Sequence, residues 1–242
     1  MYMTKKLDQI QIVLVEPKTS ANIGSICRAM KSMGIHKLAI TGNTVYDTIK
    51  IKNLAVNAFD IYETSGRFNN LETALKNSVL IAGTTRRQGK KRKFTAFTPE
   101  ELSKKISNIE QGEISIVFGR ETNGLTVKEL AMCNIAVRIP SSPELPSLNL
   151  AQAVQLISYS IHKSKYNGKN YKPITKSQMD NVIESVSNSL EKINFFKKNE
   201  KYETEIFLTD IFMRAGVSEA ESKRIERIFL KISGIGQQKY SG

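Results

Sequence analysis

The sequence predicts a doubly wound α/β domain followed by a small helical one. Three observations lead there. Between residues 10 and 163, short apolar runs alternate with segments of helical period. The runs are rich in Ile and Val and nearly continuous in hydrophobicity, as strands buried on both faces of a parallel sheet are. Beyond residue 177 only the helical period persists.

The first strand is predicted at Ile10–Val15. A helix follows, with Ile23, Ile26, Cys27, Met30 and Met33 on one stripe and Gly34 as its stop. Strands are predicted next at Lys37–Thr41 and Ser78–Ala82. Thr98-Pro99-Glu100-Glu101 is a capping box with proline at the first helical position. Ile114–Phe118 is the fourth strand, Thr126-Val127-Lys128-Glu129 a second capping box, and Ile135–Ile139 the fifth strand. Leu150, Ala153, Val154, Ile157 and Ile161 then place one face of a helix on the sheet. Such alternation is the signature of an α/β layer structure. The polar stretch Ser164–Ser177, with Gly168 and Pro173, reads as a linker. The predicted division is a domain over 1–164, a linker over 165–177 and a helical domain over 178–242. In that tail Met179, Val182, Ile183, Val186, Leu190 and Ile193 keep a three/four spacing. Ser218-Glu219-Ala220-Glu221 starts a last helix with Ile225, Ile228, Phe229 and Ile232 on one stripe.

Composition narrows the function. No run approaches the roughly 18 apolar residues of a membrane span, and Met1–Lys6 is not followed by a signal-type apolar segment. A cytoplasmic protein away from membranes is expected. The net charge is +13, from 36 basic and 23 acidic residues, and residues 1–165 hold 23 of the former and 13 of the latter. A polyanionic partner is implied, with nucleic acid ahead of a membrane surface, because no basic amphipathic helix with exposed aromatics is present. Cys27 and Cys133 have no CxxC spacing and read as reduced core thiols. His36 and His162 stand apart, and no metal is expected.

Four segments could carry chemistry. In Asn22-Ile23-Gly24-Ser25-Ile26-Cys27-Arg28, Arg28 points away from the apolar stripe, with Gly24 one turn before it, so that a chain or phosphate could approach. In the second, Gly83-Thr84-Thr85 ends a strand and runs into Arg86-Arg87-Gln88-Gly89-Lys90-Lys91-Arg92-Lys93. Six of the last eight residues are basic, which suits phosphate contacts. In the third, Phe118-Gly119-Arg120-Glu121, glycine would let a ligand near the backbone. Arg120 and Glu121 would neutralise each other, or Glu121 would bind Arg28. In the fourth, Pro146-Ser147-Leu148-Asn149 precedes a helix whose free amides can hold an electron-rich atom, or Ser147 is simply its N-cap. Neither GxGxxG after the first strand nor GxxxxGK[ST] is present, and no Ser/His/Asp or Cys/His arrangement stands out.

Together these segments resemble the SPOUT methyltransferases, specifically the TrmJ-type tRNA (cytidine/uridine-32) 2′-O-methyltransferases. Asn22-x-Gly24-x-x-x-Arg28 with Gly34 is similar to the family's first motif. Val117-Phe118-Gly119-Arg120-Glu121 with Gly124-Leu125 is similar to the second, and Pro146–Val154 to the third. The resemblance implies an α/β-knot, with a mostly parallel sheet and a C-terminal trefoil knot, and a homodimer. It implies S-adenosylmethionine as cofactor, held by Thr84, Thr85, Arg86, Gly119, Ile139, Pro146, Ser147 and Leu148. It places Arg28, Glu121, Ser147 and Asn149 around the reacting ribose. RNA contacts are expected from Arg28, Arg87, Lys90, Lys91, Arg92 and Lys93. Arginine stays protonated in proteins, so the expected part for Arg28 is to hold the neighbouring phosphate and ease loss of the hydroxyl proton, with Ser147 orienting it. A SPOUT enzyme acting on ribosomal RNA and a non-catalytic RNA-binding protein are the competing readings.

Overall fold

The computed structural model describes residues 7–86, 96–163, 172–197 and 200–240. Two compact units divide the chain, residues 1–170 and 171–242. In the first, the described residues form a sheet of seven strands. They are β1 (Ile10–Val15), β2 (Lys37–Thr41), β3 (Gly66–Phe68), β4 (Ser78–Thr84), β5 (Ala96–Phe97), β6 (Glu113–Phe118) and β7 (Ile135–Val137). Their order is β3-β2-β1-β6-β4-β7-β5, and every pairing is parallel. All carboxyl ends therefore meet along one rim.

The predicted strands at Ile10–Val15 and Lys37–Thr41 have those bounds. The fifth stops at Val137, two residues short of the predicted Ile139, although the Arg138 amide still donates to the Phe97 carbonyl at 2.9 Å. The edge strands β3 and β5 were not predicted. With three and two residues they leave no apolar run to read.

Helices cover both sheet faces. All six residues of β1 are buried, which explains its unbroken hydrophobicity; each Ile so buried stabilises the fold by about 2 kcal/mol. On one face Val13, Ile81, Val117 and Ala136 pack against Leu71 and Leu75 of α4 (Leu71–Leu75) and Leu130 of α6 (Val127–Ala131). Among the other helices are α1 (Ser20–Ser32), α2 (Thr48–Ala55), α3 (Phe59–Glu63), α5 (Pro99–Ser107) and α7 (Leu150–Lys163), with α7 packed against α1 and α5. Ile23, Ile26, Cys27 and Met30 form the buried stripe of α1. Its end is closed by Gly34 at φ +72, where the Ile35 amide donates to the Met30 carbonyl at 3.0 Å. Both predicted capping boxes close, Thr98 with Glu101 and Thr126 with Glu129.

In the second unit, α8 (Lys176–Glu191) is capped by Thr175 and Gln178 and buries Met179, Val182, Ile183, Val186 and Leu190. It packs with α9 (Glu200–Ala215) and α10 (Glu219–Tyr240). The Ser218–Glu221 box is made. The predicted stripe of α10 divides: Ile225 and Phe229 pack on the core, while Ile228 and Ile232 are 50% and 42% exposed. Four residues at that spacing span a wider arc than one neighbouring helix covers.

Among the described residues no helix is long and apolar enough to cross a membrane. Cys27 and Cys133 are buried and unbridged. Burial, then the nearby Asp60 charge, pushes the Cys27 thiol up to about 12, so it fills space as a neutral group.

Candidate active site

A cleft opens beyond the carboxyl ends of β4, β6 and β7, where open parallel sheets place their ligands. Thr84, Thr85 and Arg86 enter it from β4, Gly119 and Glu121 from the turn after β6, and Ile139 from beyond β7. Pro146, Ser147 and Leu148, ahead of α7, close the far side, and Phe118, Val137 and Leu150 add an apolar wall. Eight positions named from the sequence as cofactor contacts thus share one cleft, with Glu121 beside them.

The glycines serve a different purpose from the one expected. A Cβ on Gly119 would lie 2.1 Å from the Gly124 carbonyl carbon and 2.2 Å from the Leu125 nitrogen. The space it leaves is filled by its own turn, in which the Gly124 amide donates to the Arg120 carbonyl at 2.8 Å and Gly124 adopts φ +66. Gly119 shapes the cleft wall by letting this turn fold back tightly. Likewise, a Cβ on Gly24 would meet the Ile51 carbonyl at 2.6 Å and Leu54 Cβ at 2.8 Å. Gly24 seats α1 against α2 and offers no room for a phosphate.

Arg120 and Glu121 are not partners, and Glu121 does not bind Arg28. The Arg120 guanidinium donates to Glu129 at 2.9 and 3.1 Å and reaches Glu16 at 2.9 and 3.0 Å. These contacts hold its pKa above the ordinary arginine value. Glu129 also accepts from the Thr126 amide at 2.7 Å, so one carboxylate caps α6 and anchors the cleft turn.

Glu121 turns toward the start of α1. It accepts from the Lys18 amide at 2.9 Å, the Thr19 amide at 3.2 Å and Asn22 Nδ2 at 2.8 Å. Burial by itself would raise its pKa. The Asn22 hydrogen bond and the backbone donors outweigh that and hold the carboxyl below the ordinary glutamate value. Negative charge beside the free amides of a helix start is also favoured by the helix dipole.

The network continues. Asn22 Oδ1 accepts from Asn149 Nδ2 at 3.0 Å, and Asn149 Oδ1 accepts from the Ala151 amide at 2.8 Å. Asn149 is thus the N-cap of α7, with Gln152 answering its own amide at 3.2 Å. Ser147, the cap expected from the sequence, does not cap α7 and stands exposed on the cleft wall. Three segments distant in sequence, the start of α1, the turn after β6 and the start of α7, are tied by Asn22, Glu121 and Asn149.

The role of Asn22 is not among those the sequence predicts; its fixed spacing from Arg28 in the first motif is the signal for it. Glu129 was visible only as a capping residue, and Glu16 carried no signal. Arg28 is exposed on α1 and does not line the cleft. It lies six residues beyond Asn22, about 9 Å along the helix axis. Arg87, Lys90, Lys91, Arg92 and Lys93 lie outside the described residues. Among the described residues no three His, Cys, Asp or Glu side chains cluster as metal ligands would.

A parallel α/β sheet with a polar-rimmed cleft at its carboxyl edge defines a ligand-binding α/β domain whose chemistry is done by loops. The chain belongs to the SpoU rRNA Methylase family, whose profile matches residues 9–159. It is 31% identical over 219 residues to the tRNA (cytidine-2′-O-)-methyltransferase TrmJ of Methanocaldococcus jannaschii, covering 88% of this chain and 95% of that one. TrmJ from Z. mobilis ZM4 shares the fold at a TM-score of 0.73 and 24% identity, over 92% of this chain and 98% of that one. The SpoU methyltransferase AviRb from Streptomyces viridochromogenes, solved in complex with AdoMet, shares it at 0.50 and 22% identity, over 64% and 60%.

Proposed function

We propose that this protein transfers a methyl group from S-adenosylmethionine to a ribose 2′-oxygen of tRNA, at nucleotide 32 of the anticodon loop. The observation that carries the reading is the convergence of Thr84–Arg86, Gly119, Glu121, Ile139 and Pro146–Leu148 on one cleft. The relative matched over 88% of the chain is itself named a tRNA 2′-O-methyltransferase.

The cleft suits the cofactor. Its apolar wall of Phe118, Val137, Ile139 and Leu148 sits beside the backbone and hydroxyls of Thr84, Thr85 and Ser147, a mixture that fits a nucleoside carrying an amino-acid tail. Thr84–Arg86, Gly119, Ile139 and Pro146–Leu148 would hold it. When bound, S-adenosylmethionine supplies an activated methyl on a sulfonium. The protein's contribution is alignment, which can supply several kcal/mol of the barrier, and easing loss of the hydroxyl proton. Glu121 fixes the start of α1, the helix that carries Arg28. Arg28 holds the phosphate next to the target ribose, and Ser147 orients the hydroxyl. The basic run at 86–93 gathers the RNA backbone.

The same reading includes a homodimer, threading of the chain near β7 and α7 into a trefoil knot, and work in the cytoplasm. The family description names ribosomal RNA, which supports rRNA as the second reading. The test is titration calorimetry with S-adenosylmethionine together with mapping of 2′-O-methyl groups in RNA from a deletion strain. Heat release and loss of methylation at tRNA nucleotide 32 are expected. Loss at an rRNA site would move the substrate, and no heat release would leave a plain RNA-binding protein.

A further inference from the structure

Beside the cleft lies an exposed apolar stripe that the proposed chemistry does not use. Val45 is 94% exposed, Ile49 75%, and Val56 54%. Val45 precedes α2, Ile49 lies in its first turn and Val56 ends it, while only Ile51 and Ala55 of that helix are buried. Val56 holds φ +54, ψ −116, a strained backbone for a β-branched residue. Nothing in the core requires these side chains.

Hydrogen bonds fix this stripe to the mouth of the cleft. The Tyr46 hydroxyl donates to the Pro17 carbonyl at 2.8 Å, and the Asp47 amide donates to Ser20 Oγ at 2.9 Å. Pro17–Asn22 is the segment whose amides Glu121 clamps. At the other end Leu54 and Ala55 meet Gly24, and Lys31 reaches the Asn57 carbonyl at 2.6 Å. Arg28 lies between Gly24 and Lys31 on that side of α1. The stripe therefore runs from the cleft mouth to the arginine that stands outside it.

Its charge is mostly positive, with Lys18, Lys50 and Lys52 set against Asp47. Lys18 and Lys50 are exposed and, among the described residues, form no ion pair. Lys52 sits 5.6 Å over the Phe59 ring. Asp47 is the sole acid between residues 43 and 57, and its side chain is taken up by the Lys50 amide. Apolar branched side chains set between unpaired lysines offer apolar contact to unstacked bases and positive charge to the phosphates that join them.

We propose that the outer face of α2, from Val45 to Val56, is the surface on which the RNA strand flanking the target nucleotide docks. Bases rest on Val45 and Ile49, and phosphates meet Lys18 and Lys50. This rests on the methyltransferase reading and adds the path of the substrate. The full chain is tested as Val45→Asp/Ile49→Asp and as Lys18→Ala/Lys50→Ala. Anisotropy with labelled tRNA measures affinity, calorimetry measures S-adenosylmethionine binding, and light scattering measures mass. The first variant should bind tRNA at least about 10-fold more weakly, with cofactor affinity and mass unchanged. The second should lower the salt dependence of binding by about 1.4 in log–log slope, the expectation for two single-strand phosphates. Unchanged affinity and slope with normal methylation overturn the docking surface and leave the enzyme reading intact. Halved mass in the first variant makes the stripe a contact between copies instead, and also overturns it. A wild-type chain that binds cofactor without binding tRNA overturns both.

Discussion

The two ends of the sheet each carry a glutamate against the same central strands, and they treat it oppositely. At the carboxyl edge Glu121 faces the amides of Lys18 and Thr19 and the amide group of Asn22, and its pKa is lowered. At the amino edge Glu113 is half-buried beside Gln11, Ser78 and Ser115. Its contacts with Ser78 Oγ and Gln11 Nε2 are both 3.5 Å, and burial outweighs them and the Lys37 charge, so its pKa is raised. The serines there spend their hydrogen bonds on each other at 2.8 Å. A carboxylate keeps its charge where the amides of a helix start face it, and loses that advantage where burial meets only long contacts and one lysine charge. The parallel topology puts helix starts at one edge, and that edge is the one with the cleft.

Several substitutions would break or sharpen this contrast. Gly119→Ala should have the largest effect, because the new Cβ meets backbone that cannot swing away. A loss of about 3 kcal/mol or more, read from denaturant midpoints, is expected together with loss of cofactor binding. Gly124→Ala, with open space around it but φ +66, should cost only about 1 to 2 kcal/mol. Equal losses would remove the close approach as the cause. Arg28→Ala should reduce methylation by at least about 100-fold with cofactor binding nearly intact; unchanged turnover would take Arg28 out of the mechanism.

Glu121→Gln should cost about 1 to 2 kcal/mol at neutral pH, the scale of hydrogen bonds to a charged group. The sign with pH follows from its lowered pKa. The stability Glu121 lends is present above its ordinary value of 4.5 and is lost as pH falls through the lower folded value. The variant should therefore lose less stability than the wild type on acidification from about pH 7 to pH 3. Glu113→Gln should be the smallest change. The raised pKa of Glu113 means its contribution is complete below 4.5 and is lost as pH rises through the folded value. Replacement should add roughly 0.5 kcal/mol at neutral pH and leave methylation untouched. A Glu113 variant that lost activity would contradict the division of labour between the two edges.

The sequence showed most of the architecture because strands buried on both faces have no polar residues to interrupt them. β1 and β2 were readable to the residue, whereas β3 and β5, at the sheet edges, were too short to leave a pattern. For the site, residue types at strand ends were enough to name most of the cleft. They were not enough to say which atoms approach which. A glycine in a sequence announces that something comes close, and at Gly24 and Gly119 that something proved to be the protein's own backbone. Charged neighbours such as Arg120 and Glu121 gave no hint that each pairs with a segment about a hundred residues earlier.

Those long spans bear on how the molecule is made. Glu121 and Asn22 are 99 positions apart, and Asn149 and Asn22 are 127 apart. Loops of that length close late and slowly. During translation the first strands and helices can assemble while the ribosome is still far from residue 149, yet the last tie across the rim waits for that asparagine to emerge. An unfinished polypeptide therefore has no completed pocket with which to capture cofactor, and binding competence arrives as one of the final events of the domain's synthesis.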